Sequence, residues 1–187
     1  MHGLWSNLFK PTSFEQETRA LLRRTPIFAA LSKRELDSIE RIMYRRDYVA
    51  GEQIFHQGDP GIGMYIIQHG VVSIVQMPDN HVLAELTVGD FFGEIALLNE
   101  TPRSASAIAL TECTLLGVCQ PDLLGLFKRN SKLGVKVLIP LSQITGRRLV
   151  EIDQELLVMH HQIVHLEAEN GRLAGQPHEH PGNDTLD

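Results

Sequence analysis

A mainly β fold with flanking helices is what this sequence predicts, and three observations carry the prediction. Over residues 48–118, short β-rich runs alternate with turn residues at intervals of about 8 to 12 residues, the mark of a sandwich- or barrel-like β region. Up to about residue 46, apolar residues fall at helical spacing behind two capping-box patterns. From Pro121 almost to Leu173 the chain reads as helical and ends in a heptad seam.

In chain order, Ser13 with Gln16 precedes Ala20 and Leu21, and Ser32 with Glu35 precedes Leu36, Ile39, Ile42 and Met43 at helical spacing. Thr25-Pro26-Ile27-Phe28 separates the two as a tight turn with apolar content to pack inward. The predicted strands are 53–56, 64–68, 71–76, 82–86, 105–110 and 114–118. Gly51, Gly58-Asp59-Pro60-Gly61, His69-Gly70, Pro78-Asp79-Asn80 and Gly89-Asp90 divide them as turns. Pro121 suits the first position of a helix. Pro140 is expected to kink or divide the helical stretch, because it lacks an N–H and clashes with the preceding turn. Residues 176–187 hold two prolines, a glycine and no apolar cluster, and read as a disordered tail. The expected organisation is an N-terminal helical segment 1–24, a β domain 25–130, a long helix 131–175 and the tail.

Composition narrows the function classes. The 187 residues are 43% hydrophobic and 21% charged, with a net charge of −6. No window approaches the roughly 18 to 20 apolar residues of a membrane span. Residues 1–10 lack a basic stretch followed by a long apolar one, so no secretory signal is read. The expected setting is therefore cytoplasmic. Cys113 and Cys119 are too few for a disulfide framework or a four-ligand zinc site. The acidic balance excludes a surface wholly devoted to nucleic acid, and the basic residues of the first 47 positions are interspersed with acidic ones. His161 and His165 lie one turn apart with His160 beside them, but a solvated helix face is the favoured reading over a metal site. No nucleophile elbow and no phosphate-transfer loop occurs, so the chain is not expected to be an enzyme or to need a metal or cofactor.

One segment carries chemistry, the run from Gly89 to Ala107. Gly93 opens a short helical turn whose free N–H groups favour a close-lying anion. Arg103 can meet two oxygens of one phosphate at once. Ser104 and Ala105 add backbone N–H groups, and Glu94 can accept from a ribose hydroxyl. The set suits a small, singly charged phosphodiester bearing one sugar hydroxyl.

Phe92-Gly93-Glu94-Ile95-Ala96-Leu97, followed by Pro102-Arg103-Ser104-Ala105, closely resembles the phosphate-binding cassette of cyclic-nucleotide-binding domains. The resemblance covers about residues 25 to 130, with Gly51-Glu52, Ile54-Phe55, Gln57-Gly58-Asp59 and Gly70 similar to the family's turns. It implies a cyclic-nucleotide-binding β-roll, a double-stranded β-helix or jelly-roll-like fold. It implies that Phe92, Gly93, Glu94, Ile95, Ala96, Arg103, Ser104 and Ala105 form the ligand site. Gly93 and Glu94 would take the ribose, Arg103 the cyclic phosphate, and the N–H groups of Ser104 and Ala105 would complete the cradle.

The long helix carries a second pattern. Leu149, Ile152, Leu156, Met159, Ile163, Leu166, Asn170 and Leu173 alternate three and four apart, an a/d seam whose lone asparagine favours a parallel two-stranded coil. A homodimer is expected. Val150, Leu157, Val158 and Val164 lie off the seam. This helix resembles the dimer helix of the catabolite activator family, in which an Arg-Arg-Leu run precedes two polar residues that reach the adenine. Here Arg147-Arg148-Leu149 is followed by Ile152 and Asp153 at those positions. Asp153 could accept from the exocyclic amine of adenine or from the guanine edge. Cyclic AMP is favoured over cyclic GMP on family frequency alone. Only 14 residues follow Leu173, too few for a recognition helix. The expectation is a sensor with a dimer arm and no DNA-binding domain, in which a hinge over residues 124–140 moves with the ligand and signals to an unknown downstream protein. A nucleotide-free dimerisation scaffold and a DNA-binding regulator are the alternatives.

Overall fold

The computed structural model describes residues 13–99 and 101–174. The expected tail at 176–187 lies outside the described residues. The chain divides into two compact units, the first ending at Leu141 and the second beginning at Ser142.

The first unit is a two-sheet β-roll with helices at either end in sequence. Helix α1 (Ser13–Arg24) is followed by a 3-10 turn (Pro26–Phe28) and helix α2 (Lys33–Glu40). The expected inward turn is realised: Ile27 and Phe28 are buried. Helix α2 starts as its sequence dictates. The Ser32 hydroxyl accepts from the Glu35 N–H, and the Glu35 carboxylate accepts from the Ser32 N–H at 2.7 Å, a reciprocal capping box. Glu35 also accepts from Lys136 Nζ at 2.9 Å. The Ser32 N–H first, and the Lys136 ammonium second, hold its carboxyl down at about 2. Arg19 joins α1 to α2 by reaching both Asp37 and Glu40.

Eight strands follow: β1 (Met43–Tyr48), β2 (Gln53–Phe55), β3 (Gly63–His69), β4 (Val72–Gln76), β5 (His81–Leu86), β6 (Phe91–Phe92), β7 (Ser106–Ala109) and β8 (Cys113–Cys119). They form two antiparallel four-stranded sheets, ordered β1-β8-β3-β6 and β2-β7-β4-β5. The core lies between them. Ile67, Phe92, Cys113 and Leu115 of one sheet are buried with Val72, Ala107 and Ala109 of the other. The six predicted strands are all present. Two expectations fail on this part of the chain. Ile42 and Met43 do not continue helix α2, which ends at Glu40; Met43 opens β1 instead, because the run to Tyr48 pairs residue for residue with β8. The charges at Arg45, Arg46 and Asp47 hide that strand from a pattern search, since all three are exposed. Strand β6 is likewise unanticipated, and it exists through its pairing with Tyr65 and Ile66.

Helix α4 (Gln120–Arg129) has Pro121 in its first turn, as expected. The helical stretch then breaks at Asn130, not at Pro140: α5 runs from Ser131 to Ala174 through the proline. Asn130 leaves helical geometry and caps the next helix, its side-chain oxygen accepting from the Leu133 N–H at 3.1 Å. Proline removes one intrahelical bond, which the flanking turns tolerate. Within the first unit, α5 buries Leu133, Val137 and Leu141 at successive turns. In the second unit the described side chains from Leu149 to Leu166 are exposed. Among the described residues, no helix is long and apolar enough to cross a membrane, and no group of three or more His, Cys, Asp or Glu could hold a metal. Cys113 and Cys119, the ends of β8, are free thiols.

The capping box gives a testable pH dependence. Glu35→Gln should destabilise the fold by about 1 kcal/mol at pH 7, the usual worth of a cap. Because the folded carboxyl sits near 2 and its ordinary value is 4.5, the contribution is whole above about pH 4.5 and fades as pH falls toward 2. Urea unfolding of both proteins at pH 7 and pH 3 should show the difference narrowing at the lower pH.

Candidate ligand-binding site

The chemistry-bearing segment folds as β6, a glycine turn and the four-residue helix α3 (Ile95–Leu98), with Glu94 at its N-cap. Phe91 and Phe92 are buried and anchor the start of the segment against β3. Gly93 has φ +74°, a region that L side chains avoid, and a Cβ there would stand 2.5 Å from Arg103 Nη1. Glycine takes this positive φ without strain and leaves the arginine room to approach. Helix α3 is set against the turn before β3: a Cβ on Gly61 would stand 2.6 Å from the Ala96 Cβ. At its other end the Leu97 carbonyl accepts from Gln120 Nε2 at 3.2 Å, which ties α3 to the first turn of α4.

Arg103 is the centre of the site. It is 8% exposed and Glu94 is 6% exposed, so two ionisable side chains are buried near one another. The Arg103 backbone is clamped to the turn after β2. Its N–H donates to the Asp59 carbonyl at 2.9 Å, and its carbonyl accepts from the Gly58 N–H at 2.9 Å. Pro60 and Pro102 form a β-bridge beside this clamp. The side chain then reaches inward. Nη1 donates to the Gly93 carbonyl at 3.1 Å, and the guanidinium carbon lies 4.1 Å from the centroid of the Phe55 ring. Nε is buried without a hydrogen-bond partner among the described residues. Burial lowers the hold of the guanidinium on its proton, while Tyr65, Tyr44, Asp59 and Glu94 act in the opposite direction. An arginine stays charged under such a shift.

Beneath the guanidinium lies a group of aromatic rings drawn from both sheets. Phe55 of β2 stacks on Tyr65 of β3 at 6.3 Å and leans on Phe92 of β6 at 5.8 Å. Tyr65 stacks on Phe92 at 5.6 Å and meets Tyr44 edge-on at 6.4 Å. Burial pushes the Tyr48 hydroxyl up to about 12, and raises that of Tyr44 as well.

The first unit thus brings Phe92, Gly93, Glu94 and Arg103 together. Ala96 and Ala105 are buried beside them in sequence, whereas Ile95 and Ser104 are exposed. Asp153 is an exposed residue of α5 in the second unit, and its contact with a base remains an expectation from sequence. Sequence reading missed Phe55 and the role of Gly58 and Asp59 as the clamp on Arg103. Those residues were legible as a turn, but nothing local links positions 55 to 59 with position 103.

Residues 45–130 match the family model described as cyclic nucleotide-binding domain. This part of the chain belongs to that family. The chain is 35% identical over 138 residues to the cyclic AMP receptor protein of Thermus thermophilus, a match covering 72% of this chain and 62% of the relative. The crystal structure of the Thermus thermophilus catabolite activator protein superposes with a TM-score of 0.65 at 36% identity, over 72% of this chain and 63% of that one. The regulatory domain of Toxoplasma gondii PKA, crystallised with cAMP, superposes with a TM-score of 0.58 at 25% identity, over 62% of this chain and 45% of that one. The chain therefore spans less than two thirds of the length of each. Cyclic-nucleotide-binding domains are regulatory modules, and the β-roll fold expected of the family is the fold observed.

Two substitutions test how the domain holds its arginine. Gly93→Ala should destabilise the protein by about 2 kcal/mol, since it combines left-handed strain with a clash. Arg103→Met should also lower the thermal midpoint of the ligand-free protein, by about 3 °C or more, because it leaves the buried Glu94 without the nearby cation and the Gly93 carbonyl without its donor. Differential scanning calorimetry of both variants reads the two losses.

Proposed function

We propose that this chain is a sensor that binds a cyclic mononucleotide in its β-roll and signals through a homodimeric α5. The single observation that supports binding most directly is the buried Arg103 guanidinium with an unpartnered Nε, beside the Gly93 turn and Glu94. A buried cation in that state is stabilised by an anion that supplies the missing acceptor. With Nη1 turned to the Gly93 carbonyl, the Nε–Nη2 edge would be the one left to meet two oxygens of a cyclic phosphate once the cassette opens to it. The N–H groups of Ser104 and Ala105 complete the cradle, and Gly93 and Glu94 hold the ribose. Phe92, Ile95 and Ala96 shape the turn that carries those contacts.

Cyclic AMP is the proposed ligand ahead of cyclic GMP. The names of the relatives support this choice, as does the cAMP held by the Toxoplasma gondii regulatory domain. Asp153 is proposed as the base contact. Residues 25–130 are proposed as the sensing domain and 131–175 as the dimer helix. The proposed homodimer rests on the seam of α5, where Leu149, Ile152, Leu156, Met159, Ile163 and Leu166 are each 49% to 59% exposed. A helix with that much apolar surface in water is stabilised by a second helix. Asn170 and Leu173 extend the same spacing. Closure of the cassette would pass through the Leu97–Gln120 bond to α4, across the Asn130 break, and into α5. Occupancy would then change what a downstream partner protein meets.

Titration calorimetry with cyclic AMP and cyclic GMP, run in parallel, tests the ligand. Binding should favour cyclic AMP, and Arg103→Ala should weaken it by about a hundredfold or more, as expected for removing a buried charge-assisted contact. Equal binding by that variant would refute the site. Sedimentation equilibrium tests the seam. The wild type should be a dimer at micromolar concentration, and the double variant Leu156→Lys, Ile163→Lys should be a monomer.

A further inference from the structure

Phe55 lies outside the motif that carries the recognised contacts, yet its ring lies against Arg103. Its centroid stands 4.1 Å from the guanidinium carbon, within the range of a cation–π contact. The guanidinium is buried, and a cation–π contact strengthens when its cation is desolvated. The ring itself is fixed in place. It is held by Tyr65 and Phe92 from the opposite sheet, and its backbone pairs with Ala107 of β7. Within four residues, the same turn clamps the Arg103 backbone through Gly58 and Asp59. One short segment, Phe55 to Asp59, therefore holds both ends of the arginine.

We infer that Phe55 is a positioning residue of the anion site. Its ring is the platform that covers one face of the Arg103 guanidinium and fixes the plane in which the donor edge points, before any ligand arrives. With the Gly93 carbonyl holding Nη1, the platform removes the remaining rotation about the end of the side chain. Affinity for a cyclic phosphate then draws on a guanidinium already oriented, so less rotamer entropy is lost on binding. The role concerns ligand affinity and so rests on the proposed cyclic-nucleotide site. The platform itself is a property of the ligand-free protein, and it can be read without ligand.

The test uses the full chain and three forms: wild type, Phe55→Leu and Phe55→Trp. In the ligand-free protein, NMR should show the Arg103 Nε–H resonance, identified by its loss in Arg103→Lys, shifted upfield by the ring in wild type and in Phe55→Trp. In Phe55→Leu it should return toward the ordinary arginine position. Calorimetry with 3′,5′-cyclic AMP should show Phe55→Leu binding about tenfold more weakly, with Phe55→Trp within about threefold of wild type, as expected when one desolvated cation–π contact is lost or kept. An unshifted Arg103 resonance in wild type overturns the platform whatever the variants do, including a Phe55→Leu that fails to fold. Unchanged affinity in a folded Phe55→Leu, or equal loss in Phe55→Leu and Phe55→Trp, overturns the positioning role. Failure of the wild type to bind any cyclic mononucleotide refutes the proposed function instead, while the ligand-free resonance still decides whether the platform exists.

Discussion

A guanidinium buried in a β-roll costs several kcal/mol of hydration unless its surroundings replace the water. The architecture around Arg103 replaces it only in part. A carbonyl takes one donor, an aromatic ring covers one face, and carboxylates stand near enough to favour the charge. The buried Nε–H is left without a partner among the described residues. Most local features of the site follow from accommodating this group. Residue 93 is glycine because the guanidinium occupies the space a Cβ would need. The bridge at Pro60 and Pro102 and the two backbone bonds to Gly58 and Asp59 bring the chain to the depth from which the side chain can reach. Three aromatic residues from both sheets supply the floor. The domain thus keeps a buried charge whose hydration is replaced only in part.

Legibility from sequence tracked the range of the interaction. The capping box of α2 needs only positions 32 and 35, and it was readable directly. The glycine, glutamate and arginine of the cassette were readable because the family writes them at fixed spacing, and the three lie near one another in the fold. Strand β1 was not readable. Its charged middle resembles a solvated surface, and only its pairing with β8 makes it a strand. The break at Asn130 was missed for a related reason: a proline advertises disruption, whereas a capping asparagine acts quietly through one side-chain bond. The contact of Phe55 with Arg103 lies furthest from local reading, since it joins the end of β2 to the loop before β7, far along the chain.

Two kinds of apolar surface coexist on α5. Up to Leu141 it buries apolar residues within the first unit, and Lys136 adds an ion pair to the cap of α2. From Leu149 to Leu166 its apolar residues face water. A single continuous helix thus begins as part of a globular core and continues with its apolar residues exposed.

The pairing of β1 with β8 constrains how the protein can be made. These are the first and last strands of the roll, and Met43 lies opposite Val118 while Tyr48 lies opposite Cys113. On the ribosome, β1 emerges long before its partner, and an unpaired strand edge must wait in solution. The roll cannot close until the chain has been synthesised past Cys119. Folding is therefore of high contact order, and slow by comparison with the helices that flank it. Strand β1 is also an edge of its finished sheet, and the exposed charges at Arg45, Arg46 and Asp47 suit an edge that is ill-matched to pairing with another chain, during synthesis as after it.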